Sequence, residues 1–177
     1  MSALTAAPDL AITLLEDDAA SSLQALRATA PGKALVIDFW TTKCERCPAC
    51  LQKLDKLAAG ALGQKVTFAS VCMDFSKDPD FARELAEDHE HIVHAGFDEA
   101  ARAAAKAAWG FNKVPYLVIV GTDGATTYHG DALKVDGAVI EGALAGKENA
   151  PAAPAPVAKE APPAAAPAPV FAMDEDF

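Results

Sequence analysis

Three of the chain's four cysteines fall within seven positions, as Cys44, Cys47 and Cys50 in "FWTTKCERCPAC". Cysteines this close suit a metal cage, a structural staple or a redox pair that trades a dithiol for a disulfide. The spacing C-x-x-C-x-x-C is that of an iron–sulfur run, with Cys72 as a fourth ligand. Cys72, however, sits inside an apolar stretch, "FASVCMD", and no cysteine followed by proline closes the run. Zinc held by four thiolates meets the same objection, so no metal is expected. "DHEHIVH" offers His89, His91 and His94, but with no cysteine or paired helical spacing beside them they read as a solvated helix end.

A redox pair has a physical requirement that the flanking sequence meets. The run "ALVIDFW" reads as a buried strand, and "LQKLDKLAAGALG" as a helix with Leu51, Leu54, Leu57, Ala58 and Leu62 on roughly one face. A cysteine delivered by a strand to a helix N-terminus meets unpaired amides and the positive end of the helix dipole, which stabilise a thiolate. Its pKa is expected to fall from about 8.5 toward neutrality. A second cysteine one turn on is then in reach to resolve a mixed disulfide. Two registers fit: Cys44-Glu45-Arg46-Cys47, with Lys43 beside the first thiol, and Cys47-Pro48-Ala49-Cys50. Pro48 strains a helix already begun at Cys44 and suits a helix begun at Cys47.

The elements around the cluster alternate. "DDAASSLQALRATAPG" predicts a helix closed by Pro31-Gly32, and "KVTFASVCMD" a second strand. Asp78-Pro79 opens a helix through "DFARELAEDH", a short apolar piece "HIVHAGF" follows, and "DEAARAAAKAAWG" is a helix ending at Gly110. "VPYLVIVG" and "ATTYHG" are strands joined by the hairpin signal "GTDG", and "KVDGAVIEGALAG" closes the domain as a helix. His129 is read as a surface strand residue. This alternation predicts an α/β sandwich around a mixed sheet of four to five strands, spanning residues 1–148. Residues 149–177 read differently. "NAPAAPAPVAKEAPPAAAPAPV" has few amide donors and little to bury, so a disordered, extended tether is expected, with a reach on the order of 70 Å. Its end, "VFAMDEDF", is a solubilising acidic tail or a short peptide that docks on a protein partner.

Composition excludes some functions. The formal net charge of −10 argues against nucleic acid and against an anionic membrane surface. No basic start followed by an apolar run marks a secretory signal, and no run approaches 18 apolar residues. A cytoplasmic location is therefore expected, where a clustered C-x-x-C is catalytic or metal-binding more often than structural.

Two motifs carry a resemblance. "VIDFW" followed four positions after Trp40 by Cys44-Glu45-Arg46-Cys47, then "LDKLA", resembles the thioredoxin superfamily; "WGFNKVPYLVIV" resembles that family's entry to a strand at a cis-proline facing the redox pair. The resemblance covers about residues 33–132. The long stretch between Cys47 and Pro115 is similar to that of tryparedoxins, nucleoredoxins and the disulfide reductases of bacterial cytochrome maturation. It implies a thioredoxin-like three-layer sandwich, and it selects Cys44 and Cys47 as the dithiol. Pro115 becomes the cis-proline shaping the substrate groove, and Asp38 the buried carboxylate that exchanges a proton with the resolving thiol. Trp40, Glu45, Arg46 and Val114 are implied to meet substrate, and Cys50 is left as a core residue or a third thiol. The family's Trp before the first cysteine is replaced by Lys43, and its Gly-Pro or Pro-Pro between the cysteines by Glu45-Arg46.

Two functions follow from the resemblance. One is a thiol–disulfide oxidoreductase acting on protein disulfides, with no bound cofactor because the electrons reside in the thiols. Its upstream reductant is not specified. The other is a non-enzymatic scaffold subunit of a larger assembly, such as a cytoskeletal, microtubule-associated or axonemal one.

Overall fold

The computed structural model describes residues 6–146. The predicted tail, 149–177, lies outside them. Seven strands, β1 (Ala11–Leu14), β2 (Ala20–Ser22), β3 (Ala34–Trp40), β4 (Val66–Cys72), β5 (Val93–Gly96), β6 (Tyr116–Val120) and β7 (Thr126–Asp131), form one sheet in the order β2-β1-β5-β4-β3-β6-β7, rather than the four to five expected from the sequence.

The centre is β3 (Ala34–Trp40), every residue of which is buried. Strands covered on both faces read as continuous apolar runs, which is why "ALVIDFW" lacks alternation. Beside it, β4 (Val66–Cys72) runs parallel and β6 (Tyr116–Val120) antiparallel; β7 (Thr126–Asp131) pairs antiparallel with β6. The stretch between β4 and β6 folds as α3 (Pro79–Glu87), β5 (Val93–Gly96) and α4 (Glu99–Trp109). Asp78 caps α3 by accepting from Phe81, with Pro79 in its first turn, and Gly110 in the left-handed region ends α4.

The extra strands come largely from the N-terminal side. β1 (Ala11–Leu14) and β2 (Ala20–Ser22) form a hairpin that adds antiparallel to the edge of β5. The helix predicted from Asp17 to Gly32 shrinks to α1 (Leu23–Ala28). Ser22 explains the late start: its hydroxyl accepts from the Ala25 amide at 3.1 Å, so serine stands at the cap and not inside the helix. The short run "AITL" has only four residues to show a period, too few to separate strand from coil.

Alternation along β3 divides the core. Leu35, Ile37 and Phe39 pack with α1 and α4. Val36 points the other way, toward α2 (Cys47–Ala59) and α5 (Gly137–Leu144), and Trp40 packs on that side with Leu51 of α2 and Ala82 of α3. Asp38, between Val36 and Trp40, is thereby set on the α2 face.

Candidate active site

β3 ends at Trp40, and residues 41–46 make a turn before α2 begins. Asp74, just past β4, pins that turn: its carboxylate accepts from the Thr42 amide and the Thr42 hydroxyl, both at 3.0 Å, and from the Cys72 thiol at 3.3 Å. The Met73 amide donates to the Trp40 carbonyl at 2.8 Å, so both strand ends are tied together. Asp74 was not singled out from the sequence, where it is one of many acidic residues following a strand.

Cys44 and Cys47 form a disulfide with a Cα–Cα distance of 5.4 Å. Helix α2 opens at Cys47, not at Cys44 as the first register supposes. Pro48 accounts for the difference. It has no amide to donate, so it belongs in the first turn, and three residues of non-helical chain carry Cys44 ahead of it. The two cysteines differ in access, since Cys44 is half-buried and Cys47 has no exposed surface. Glu45 and Arg46 are exposed beside them.

The Val114–Pro115 peptide is cis. Val114 is half-buried and packs against the cluster that holds Trp40 and Cys47, on which Cys44 also packs, and so brings the loop before β6 to the same cluster as the pair. A groove of about 210 Å³ runs here, lined by Arg46, Phe111, Lys113, Val114, Pro115 and Tyr116. Two of its lining rings continue a stack into the core: Tyr116 lies 4.4 Å from Phe111, which lies 5.3 Å from Phe39. Tyr116 is bonded to His129 Nδ1 at 2.6 Å, so His129 is half-buried and partnered, not a free surface residue. Burial pushes the Tyr116 phenol up to about 12 and His129 down from its ordinary value.

Trp40 needs correcting. It is fully buried beneath the pair, so it offers substrate no surface and serves as packing. The histidine segment also departs from a solvated helix end. His91 is exposed and faces Asp55, but His89 is buried and His94 half-buried, because α3 stops at Glu87 and β5 carries His94 into the sheet. Among the described residues no group of three or more His, Cys, Asp or Glu is placed to hold a metal ion.

Behind the pair lies Asp38, fully buried, with both carboxylate oxygens lacking a hydrogen-bond partner. Burial raises its pKa well above the ordinary carboxyl value, and the charge of Lys53 opposes that rise. Lys53 stands on α2, half-buried, donating to the Ala132 carbonyl at 2.9 Å. It is three residues beyond Cys50, a spacing that would have placed it on the same helix face. Cys50 is a free, buried thiol, pushed up to about 12 by burial, with the charge of Asp38 adding. Cys72 is likewise free and buried, and burial likewise pushes it up to about 12.

A family profile described as thioredoxin-like matches residues 32–126. The chain belongs to the thioredoxin-like family. No curated protein matches its sequence significantly. Among solved structures it is similar to a putative electron transfer protein from Aquifex aeolicus, at 12% identity and TM-score 0.66, over 84% of this chain and 96% of that one. It is also similar to the thioredoxin domain of a thiol-disulfide oxidoreductase from Bacteroides vulgatus, at 15% identity and TM-score 0.63, over 79% and 93% of the two chains. A thiol:disulfide interchange protein from Bacteroides sp. matches at 19% identity and TM-score 0.59, over 75% and 86%. At these identities the likeness establishes the fold.

Proposed function

We propose that the chain is a thiol–disulfide oxidoreductase that reduces protein disulfides. The observation that carries this reading is the unequal access of the two sulfurs in the Cys44–Cys47 disulfide, beside an open groove at Pro115. Exchange needs one thiol that meets substrate and one held back to resolve. In the reduced protein, the Cys44 thiolate attacks one sulfur of the substrate disulfide, and the other substrate sulfur leaves as a thiolate. Cys47 then passes its proton to the Asp38 carboxylate through water and attacks Cys44 Sγ. The second substrate thiol departs, and two electrons have moved from the dithiol to the substrate. A dithiol or thiol reductant must restore the pair.

An open groove lined by the rings of Phe111 and Tyr116 and by the charges of Arg46, Lys113 and Asp131 suits an extended peptide better than a small thiol. The cytoplasm is the compartment proposed, because a reducing pool returns the dithiol to its working form.

The test is the reduction of insulin disulfides under dithiothreitol, run with three proteins. Wild type is expected to accelerate it, Cys44→Ser to abolish the acceleration, and Cys47→Ser to accumulate insulin bound through Cys44. Wild type and Cys44→Ser giving equal rates would contradict the reading and leave a binding module.

A further inference from the structure

Four residues form one row across the sheet: Leu117 on β6, Asp38 on β3, Ser70 on β4 and His94 on β5 are partners in register. Residues in register point to the same face, here the α2 face. The row runs from the buried acid of the central strand to a histidine that the exchange chemistry does not use. Ser70 is fully buried, and its Oγ lies 2.7 Å from His94 Nδ1. His94 Nε2 lies 2.9 Å from the His89 carbonyl oxygen.

The direction of these bonds is fixed by chemistry. A carbonyl oxygen only accepts, so His94 Nε2 carries the hydrogen. Burial pushes the imidazole below its ordinary pKa of 6.5, so at pH 7 it is neutral and Nδ1 is left with a lone pair. Ser70 has one hydroxyl hydrogen and spends it on that lone pair. That hydrogen is therefore not available to Asp38, its partner in the row, while the Leu117 side chain on the other side has no polar atoms. A buried carboxylate with no donor holds a proton more tightly than one that accepts a hydrogen bond. Neither Asp38 oxygen has a hydrogen-bond partner, so the Ser70 hydroxyl, held on His94, gives the carboxylate no donor.

We propose that His94 is a positioning residue: by holding the Ser70 hydroxyl turned away from Asp38, it denies the carboxylate a donor and so strengthens its hold on a proton. Asp38 thereby becomes a stronger base toward the thiol it serves. The catalytic use of this arrangement rests on the oxidoreductase reading above; the state of the carboxyl does not. Other groups also act on it. Lys53 on α2 favours the charged carboxylate, and the Cys50 thiol faces Asp38 from the same helix. Asp131 acts on Cys50, and His89 and Asp55 act on His94. The row is therefore tested by changing its own members and leaving these in place.

The experiment follows the Asp38 carboxyl against pH in the oxidised full chain, by its infrared carbonyl band assigned with Asp38→Asn. His94→Leu frees the Ser70 hydroxyl to donate to Asp38, and the midpoint is expected to fall by about one pH unit, the size of one hydrogen bond to the charged form. The fall is expected to vanish in His94→Leu with Ser70→Ala, where no hydroxyl remains. His94→Asn, whose amide oxygen replaces Nδ1 as acceptor, is expected to keep the wild-type midpoint. An unchanged midpoint in His94→Leu, or the same fall with and without Ser70, would overturn the proposal. If His94→Leu does not fold, nitrogen-15 spectra of wild-type histidines decide: hydrogen on Nε2 alone across the titration supports the row, and hydrogen on Nδ1 overturns it. Insulin reduction by the same wild-type protein is scored separately. A chain inactive there that still shows these shifts keeps the row and loses only its use in exchange.

Discussion

Cys44 and Cys47 share one disulfide, yet Cys44 is half-buried and Cys47 has no exposed surface. An incoming thiolate can therefore reach only one of the two sulfurs. Oxidised protein treated with glutathione and quenched early is expected to carry the glutathione on Cys44, with Cys47 released as the free thiol. Peptide mapping by mass spectrometry reads the site. Glutathione divided evenly between the two cysteines would show that burial does not set the direction of attack.

Asp38 gives a pH dependence with a definite sign. Burial raises its pKa above the ordinary value of 3.8, with Lys53 opposing, so the native protein holds a proton that the unfolded chain has lost. The group's contribution to stability is complete below 3.8 and is lost as pH rises through the folded value. Asp38→Asn has no such proton. Its stability relative to wild type is expected to improve in urea unfolding as pH rises from 3.8 through the folded value, by at most about 1.4 kcal/mol per pH unit. A constant difference across that range would mean that Asp38 is not held protonated.

Asp74 is expected to matter for the position of Cys44. Asp74→Ala removes both acceptors of Thr42 at a nearly buried site, at a cost of about 1–3 kcal/mol in unfolding experiments. The Thr42 amide should also lose protection from hydrogen exchange, while Asp74→Asn retains one acceptor and loses less. Equal protection in Asp74→Ala and wild type would mean that the turn is held by something else.

The central strand, the helices from Asp78 to Gly110 and the terminal hairpin were legible in the sequence because each carries a local signal: an apolar run, a capping aspartate with proline, a glycine stop. The hairpin of β1 and β2 was not, since four and three residues cannot show a period and their partner, β5, is itself brought by distant chain. At the site, the resemblance supplied Cys44, Cys47, Asp38 and Pro115, and the structure places the cysteines and the proline at one end of the sheet, with Asp38 in the core behind them. Pro48 marked where α2 begins, although the family register pulled that start back to Cys44. What spacing could not give was access. Nothing local tells that Trp40 is sealed under the pair, that Ser70 and Asp38 are neighbours across a parallel ladder, or that His94 turns inward, because each depends on pairings between strands far apart in sequence.

The most direct test of the account is the alkylation rate of each cysteine in the fully reduced protein, followed by mapping of the bond formed on reoxidation. Cys44 is expected to react fastest, with Cys50 and Cys72, both pushed up to about 12 by burial, unlabelled at pH 8 until the protein is unfolded. Reoxidation is expected to join Cys44 to Cys47. Labelling led by Cys50, or a Cys47–Cys50 bond on reoxidation, would contradict the assignment of the dithiol and with it the proposed chemistry.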